Sequence, residues 1–417
     1  MTHNSSVSWP GVQLTQNYVQ QVCTPTRGAL MSGRYPIHTG LQHDVIYPGE
    51  PWGLPLDETI IPQILKEYNY STHAVGTFFI YLAYQSVHGP HMVPQRYIDQ
   101  YSSHIENKGQ QVFAAMVSSM DEGIGNITKA LENTGLAENT IIVFSSDNGG
   151  NVNCVKEVTS SNYPYRGGKR ALYEGGVRSP SFVWARNRIS SLRSDAMIHV
   201  TDWLPTFWSL ASLQGKLSPN NPIKTKPLDG VDQWLAISEN LPSNRTEFVI
   251  NIDPKPIACG HRVPHAGIRW KEWKLIIGQG GPPSGWYPAP GVEDLVNYCG
   301  PHDSYIELYN IIEDPSETRN VSDKFPDIVQ MLTDKIKAYN ATAVPMGNKK
   351  KDPASNPRNF NYTWMPWMDM VDRVPVGTYP LKDDLFQDEY GQYDIEPTMD
   401  ACFADDETNL DMNSIEF

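Results

Sequence analysis

Apolar positions along the chain follow two patterns, which indicate two kinds of element. Continuous apolar runs at 78–84 and 141–146 are typical of strands buried on both faces of a sheet. Apolar residues spaced three and four apart over 110–131 predict an amphipathic helix, with Gly135 just beyond its end. Residues 1–22 predict an irregular start, and residues 71–76 predict a short strand. Three more helices are predicted over 23–34, 56–70 and 202–213. This alternation predicts an α/β fold with a doubly wound, mostly parallel sheet flanked by helices.

The pattern changes near residue 236. Segments 268–278 and 304–311 alternate like strands of an antiparallel sheet, and 325–342 predicts a helix that covers that sheet. The last residues are acidic and without periodicity, which predicts a loosely ordered tail. The chain therefore divides into an α/β domain (1–235), a smaller C-terminal α+β domain (236–369) and a tail (370–417).

The two apolar segments on either side of Thr77 present a topological difficulty. The predicted strand 71–76 runs directly into 78–84. Two parallel strands need a crossover of about a dozen residues, and none are available here. Either 71–84 is one long strand, or a crossover unit is missing after Gly76.

Charge narrows the range of partners. The formal net charge of −14 over 417 residues argues against a nucleic acid, whose phosphates require a basic surface. A small anionic substrate stays possible, because a local cluster of cations can hold one. Since no apolar run reaches 18 residues, no helix spanning a membrane is expected.

Cysteines and glycosylation sequons bear on the compartment. Five cysteines, an odd number, leave at least one unpaired, and their spacings match no zinc pattern. Seven sequons favour a secretory route, although the first residues show no basic or apolar leader region. They lie at Asn4, Asn69, Asn126, Asn244, Asn320, Asn340 and Asn361.

The segment CTPTRGALMSGR carries the first candidate chemistry. Cys23 stands near the start of a predicted helix, where the helix dipole and free N–H groups favour an anion. Arg27 follows four residues later and therefore faces the same side. A nucleophile beside a fixed cation suits attack on a sulfate or phosphate ester. The alternative is a structural cysteine in a proline-containing turn.

Three further positions carry polar groups where an α/β sheet places its ligands. Asp147 and Asn148 follow the predicted strand 141–146, at the carboxyl end, and their oxygens suit a hard cation such as calcium. His88 ends the other predicted strand, and Lys169 lies in a glycine-rich loop. The alternatives are an ordinary Asx turn, a structural histidine and a solvated lysine.

Several of these segments resemble the sulfatases, and in detail arylsulfatase B and its relatives. CTPTRGALMSGRYPIHTGLQH is similar to their activation signature, FSSDNGG to their metal-binding turn, and YRGGKRALYEGGVR and YQSVHGPH to their substrate-binding segments. The resemblance implies the alkaline-phosphatase/sulfatase fold. It also implies that a formylglycine-generating enzyme oxidises Cys23 to formylglycine. By the same resemblance Arg27 orients that group.

The resemblance also implies ligands and a substrate. Asp147, Asn148 and the modified Cys23 would bind one calcium ion, and Lys169 and His88 would contact the sulfate. The implied substrate is an aryl sulfate or a sulfated glycan, with N-acetylgalactosamine of glycosaminoglycans favoured. The implied location is lysosomal or secreted.

Three departures separate this chain from the family pattern. Thr26 stands where the family has Ser. The family's early pair of aspartates, which ligate calcium, has no counterpart in the first 22 residues. The family's K-W-H-L-G segment is absent after Gly76, at the position of the topological difficulty. We therefore expect weak calcium binding, little or no turnover, and a sheet with an exposed edge.

Four hypotheses remain open from the sequence. The first is a sulfuric ester hydrolase impaired by these losses. The second is a non-catalytic pseudo-sulfatase that retains sulfated-glycan binding, and the third is a phosphoester hydrolase of the same superfamily. The fourth is an incomplete sequence without an independent function.

Overall fold

The structure is a computed structural model of the whole chain. It describes residues 11–68, 70, 78–152, 160–186, 188–190, 192–213, 226–255, 264–282, 285–286, 305–360, 362–363 and 365–368. The predicted strand 71–76 and the predicted tail 370–417 lie outside these residues.

The larger sheet has four described strands in a mixed arrangement. They are β1 Gly11–Tyr18, β2 Ile141–Ser145, β3 Ser181–Ala185 and β4 Leu192–His199, in the order β2-β3-β1-β4. Only β1 and β4 pair in parallel, whereas β3 is antiparallel to both β1 and β2. The α/β class is confirmed, but within the described strands the sheet is mixed rather than mostly parallel. Strand β3 runs in the opposite direction along β2, with Ile141 opposite Ala185 and Ser145 opposite Ser181.

Strand β1 corrects the prediction that residues 1–22 are irregular. Val12 and Leu14 alternate with polar residues and are buried on one face, and Tyr18 is fully buried at the end. This alternation is the signature of a half-buried strand. The exposed Gln13 is one of the polar positions of this alternation, which is short and lies in a mainly polar segment.

The described helices largely follow the predicted ones. The first, predicted over 23–34, extends from Cys23 to Ser32. The long helix is confirmed, with an N-cap at Asn107 that accepts a bond from the Gln110 N–H and a left-handed Gly135 beyond its end. The helix expected over 56–70 is confined to seven residues. The helices are α1 Cys23–Ser32, α2 Pro36–Thr39, α3 Ile61–Glu67, α4 Gln95–Ile98, α5 Lys108–Asn133, α6 Glu174–Val177, α7 Trp203–Leu213, α8 Trp234–Ser238 and α9 Pro326–Asn340.

The two apolar runs are less buried than their composition predicts. Segment 78–84 forms no named strand, and Ile80 and Leu82 are 70% and 55% exposed. Strand β2 forms as predicted, but its side chains are only half-buried, because among the described strands it pairs with β3 alone. Burial on both faces requires neighbouring strands and covering layers, which a local apolar run cannot itself supply.

The C-terminal sheet confirms its prediction. It consists of β5 Glu247–Asp253, β6 His265–Trp270, β7 Trp273–Gly278 and β8 Ile306–Asn310, all antiparallel and in sequence order. Helix α9 buries Leu332 and Ile336 in the core that this sheet forms.

A buried arginine joins the two sheets. Arg245, just before β5, donates through Nε to both carboxylate oxygens of Asp202, at 3.1 and 2.8 Å, and its Nη2 also contacts that carboxylate. Its Nη1 donates to Tyr35 Oη at 3.0 Å. Asp202 is fully buried at the end of β4, so the ion pair fixes the C-terminal sheet against the larger one.

Replacing Asp202 with Asn should leave the buried Arg245 charge without its partner. Breaking a buried pair in this way costs about 3–5 kcal/mol. We expect urea unfolding to show a loss of this size in the free energy of unfolding. Glu132→Gln is the matched control, since its pair with Arg186 is about half exposed and its loss should change stability by about 0.5 kcal/mol or less. Equal losses in both variants would contradict the interpretation.

Candidate active site

Helix α1 and strand β2 bring the first candidate residues together. Cys23 is the first residue of α1, and Asp147 and Asn148 follow the end of β2. The Cys23 thiol lies 3.4 Å from Asn148 Oδ1. The carboxyl end of a sheet strand therefore faces the start of a helix, as in other α/β sites.

Arg27 pairs with Asp147 on the same side of α1 as Cys23. Its Nε and Nη2 both donate to Asp147 Oδ2, at 3.2 and 2.8 Å. Its Nη1 also contacts Tyr81 Oη at 3.3 Å. The spacing of four residues does place Cys23 and Arg27 together, as the sequence predicts.

Thr26 has a positioning role that the sequence did not reveal. Its hydroxyl accepts the Gln20 N–H at 3.0 Å and donates to the Asp147 carbonyl at 2.6 Å. The hydroxyl therefore links the approach to α1 with the turn after β2. A serine could make the same bonds, so the threonine found in place of the family's serine keeps this link. The sequence did contain a sign of this role, because the C-T-P-T-R segment places a hydroxyl side chain directly before Arg27.

Two glycine-rich segments hold the turn after β2. The Gly149 N–H donates to the Gly176 carbonyl at 2.8 Å. A Cβ at Gly149 would overlap the Gly175 carbonyl oxygen, and one at Gly168 would overlap that of Gly150. Only glycine permits two backbones to approach so closely. This contact seats Asn148 against Cys23.

Lys169 and His88 complete the group of candidates. The Lys169 N–H donates to the Gly150 carbonyl at 3.0 Å, which attaches Lys169 to the same turn. Its ammonium lies 3.4 Å from His88 Nε2. His88 Nδ1 lies 2.9 Å from the Gly89 carbonyl, so Nδ1 carries the proton and Nε2 can accept from Lys169. His88 is exposed and follows an extended segment rather than the predicted strand.

The electrostatics keep Cys23 in its thiol form. Burial raises the pKa of the Cys23 thiol, and the neighbouring Asp147 carboxylate raises it as well. Lys169 and Arg27 lower it without reversing the direction. Since the thiolate is the nucleophilic form of cysteine, an unmodified Cys23 is a poor nucleophile at neutral pH.

The described residues do not make a complete calcium site. Calcium takes about six to eight oxygen ligands. Asp147 and Asn148 offer one carboxylate and one amide oxygen, and Arg27 already neutralises that carboxylate. No group of three or more His, Cys, Asp or Glu residues suited to a metal occurs in the described ranges. The donor set therefore falls short of the implied ion.

All six predicted site residues thus meet around the start of α1. A half-buried cysteine is surrounded by an arginine, a lysine, a histidine and an amide beyond the end of a sheet strand. This arrangement is typical of hydrolases that act on anionic esters. Of the helices that the structure describes, none has the length and apolar character needed to cross a membrane.

Comparison with known proteins identifies the class. The chain matches the family described as Sulfatase over residues 4–78 and 76–213, about half of its length. It is 33% identical to arylsulfatase J of Mus musculus over 480 aligned residues, which cover 88% of this chain and 77% of that protein. The chain therefore belongs to the sulfatase family, and by family it is a sulfuric ester hydrolase.

More distant relatives agree with this assignment. The chain is 24% identical to N-acetylgalactosamine-6-sulfatase of Canis lupus familiaris, over 64% of this chain and 49% of that enzyme. Among solved structures, Ps i-CgsB in complex with k-i-k-neocarrahexaose has a TM-score of 0.65 and 21% identity, with 87% of this chain and 92% of that chain covered. Phosphonate monoester hydrolase of Agrobacterium radiobacter has a TM-score of 0.55 and 12% identity, with 81% of this chain and 90% of that chain covered. Both structures support the predicted fold.

The opposing charges around Cys23 give a prediction for its reactivity. Asp147→Asn should lower the thiol pKa and increase the alkylation rate at neutral pH, whereas Lys169→Gln should raise the pKa and decrease the rate. We expect changes of roughly three- to tenfold, since one pKa unit corresponds to about tenfold in thiolate below the pKa. Peptide mass spectrometry after iodoacetamide pulses at several pH values measures Cys23 alone. A change of the alkylation rate in the same direction in both variants would refute the opposing effects of Asp147 and Lys169 on the thiol pKa. Glu132→Gln, which lies away from the site, is the control.

Proposed function

We propose that this sulfatase hydrolyses sulfate esters through a formylglycine made from Cys23. The observation that carries the proposal is the position of Cys23 at the start of α1, with Arg27, Lys169 and His88 beside it. When formed, the hydrated formylglycine supplies a nucleophilic hydroxyl that the buried thiol cannot. The raised pKa of Cys23 supports a modified residue over direct thiolate attack.

The cations of the site would hold the sulfate. Arg27 and Lys169 carry fixed positive charge, and groups of this kind, when they face the charge that develops in the transition state, often supply most of an enzyme's rate enhancement. When His88 carries a proton at Nε2 as well as at Nδ1, it can give the Nε2 proton to the departing alcohol. Asn148 would orient the modified side chain, since its Oδ1 already faces Cys23.

The relatives suggest the substrate and the compartment. One is named N-acetylgalactosamine-6-sulfatase, and one solved neighbour, BT4656, is in complex with its substrate D-glucosamine-2-N,6-O-disulfate. We therefore propose a sulfated glycan, with N-acetylgalactosamine of a glycosaminoglycan as the favoured sugar. We propose that a formylglycine-generating enzyme modifies Cys23, and the sequons support passage through the secretory route to a lysosomal or extracellular site.

We further propose that turnover by this chain is impaired. Beside Cys23, Asp147 and Asn148 supply too few oxygen donors for calcium, and Arg27 pairs with the Asp147 carboxylate. The family match also falls into two parts that meet at residues 76–78, where the family's lysine- and histidine-containing segment is expected. Fewer positive groups would then stabilise the sulfate in the transition state.

A non-catalytic sulfated-glycan binder is the second candidate. The positions of Arg27 and Lys169 favour this candidate, because two cationic side chains can bind a sulfate group without hydrolysing its ester. A phosphoester hydrolase is less favoured, since the likeness to a phosphonate hydrolase concerns the fold alone and Cys23 stands in a sulfatase activation sequence.

The rate on an aryl sulfate tests the proposal. We expect the chain, produced together with a formylglycine-generating enzyme, to carry the modification at Cys23 by peptide mass spectrometry. Its kcat should be at least about 10²-fold below that of arylsulfatase J assayed alongside, the loss that one missing transition-state contact produces. Added calcium should bind weakly in calorimetry.

Two controls separate the outcomes. Cys23→Ala should abolish any residual hydrolysis, and Glu132→Gln should leave it unchanged. A rate equal to that of arylsulfatase J would contradict the proposed impairment. No hydrolysis at all, with retained binding of a sulfated N-acetylgalactosamine, would favour the non-catalytic binder.

A further inference from the structure

We propose that Lys274 and Glu317 are positioning residues, which hold Glu174 and thereby the glycine turn beneath Asn148. Neither side chain reaches the site itself. This inference rests on the proposed function only in that it concerns the same site. Its test uses the chemistry of the Cys23 thiol rather than turnover.

The three side chains form a buried charge cluster between the two sheets. Lys274 of β7 places Nζ 3.1 Å from Glu174 Oε1 and 2.8 Å from Glu317 Oε1. All three side chains of these ion pairs have no solvent-exposed surface. The Glu174 N–H also donates to Glu317 Oε2 at 2.6 Å. Lysine therefore joins two carboxylates from separate segments.

Glu174 is held from further sides. Arg178 Nη1 lies 3.3 Å from Glu174 Oε2, and Tyr18 Oη donates to the same oxygen at 2.9 Å. Buried ion pairs are weak evidence for stability, because desolvation opposes their attraction. Several partners that converge on one carboxylate instead fix its position.

Glu174 leads directly into the turn that seats the site. The next two residues, Gly175 and Gly176, contact Gly149 through backbone atoms. The Gly175 N–H donates to the Arg166 carbonyl at 2.8 Å, and a Cβ at Gly175 would overlap that oxygen. The turn has no free space, so a displaced Glu174 would carry Gly176 and Gly149 with it. Gly149 follows Asn148 immediately.

Glu317 has a backbone conformation that supports a positioning role. Its φ of 55° lies in the left-handed region, which residues with a side chain rarely adopt. Such conformations persist where surrounding contacts impose them, often at functional sites. Here the contacts are the two that its carboxylate makes, with the Lys274 ammonium and the Glu174 N–H.

Lys274→Met tests the inference through the Cys23 alkylation rate. We expect the variant to fold and to alkylate about tenfold faster at neutral pH, because a loosened turn would expose the thiol and move Asp147 away from it. Lys274→Arg keeps the charge and should restore a rate near that of the unchanged protein. Lys335→Met is the matched control, since Lys335 lies on helix α9 and pairs with Glu247 of β5, away from the turn.

Further measurements keep the test decisive. The double variant K274M/E317Q removes one charge of each sign and still leaves Glu174 without its lysine, so its rate should stay raised. An unchanged rate in folded Lys274→Met, or a normal rate in the double variant, would overturn the inference. If neither variant folds, hydrogen exchange of the unchanged protein decides. A Gly149 amide protected like the amides of β7 would support the inference, and rapid exchange would refute it.

Discussion

The candidate site depends on one close contact between two backbone segments. The turn after β2 lies directly on the glycine turn that precedes β3, with a hydrogen bond from Gly149 to Gly176 and no side chain between them. Asn148 reaches Cys23 from one end of this contact, and Lys169 extends from the neighbouring loop. The glycines therefore matter here for the closeness they allow rather than for mobility.

The same contact explains why burial dominates the chemistry of Cys23. The packed turn removes the thiol from water, which raises its pKa more than Lys169 and Arg27 can lower it. Arg27 is partly neutralised by Asp147, so its charge acts on both the thiol and the carboxylate. A cysteine in this setting suits conversion into another nucleophile better than direct attack.

The sequence predicted which candidate residues lie together better than it predicted the arrangement of the sheet. Cys23 and Arg27 are four residues apart on one helix, and Asp147 follows a strand, so local rules suffice to place them. Strand β1 was missed because its alternation of apolar and polar positions is short and lies in a mainly polar segment. Strand order was not predictable, because β1 pairs with β4 from a distant part of the chain. The buried cluster around Lys274 was not predictable either, because Lys274 and Glu174 lie 100 residues apart along the chain.

The apolar run 78–84 connects the failed strand prediction with the proposed impairment. Its composition is that of a strand buried on both faces, yet Leu82 is 55% exposed and Tyr81 turns toward Arg27. One side of β2 likewise has no partner among the described strands. The apolar run and this edge of the sheet are therefore both uncovered near the site. The composition of 78–84 suits a strand with neighbours on both sides. The local prediction thus failed for a non-local reason, since an apolar run cannot itself supply the neighbouring strands and layers that would bury it.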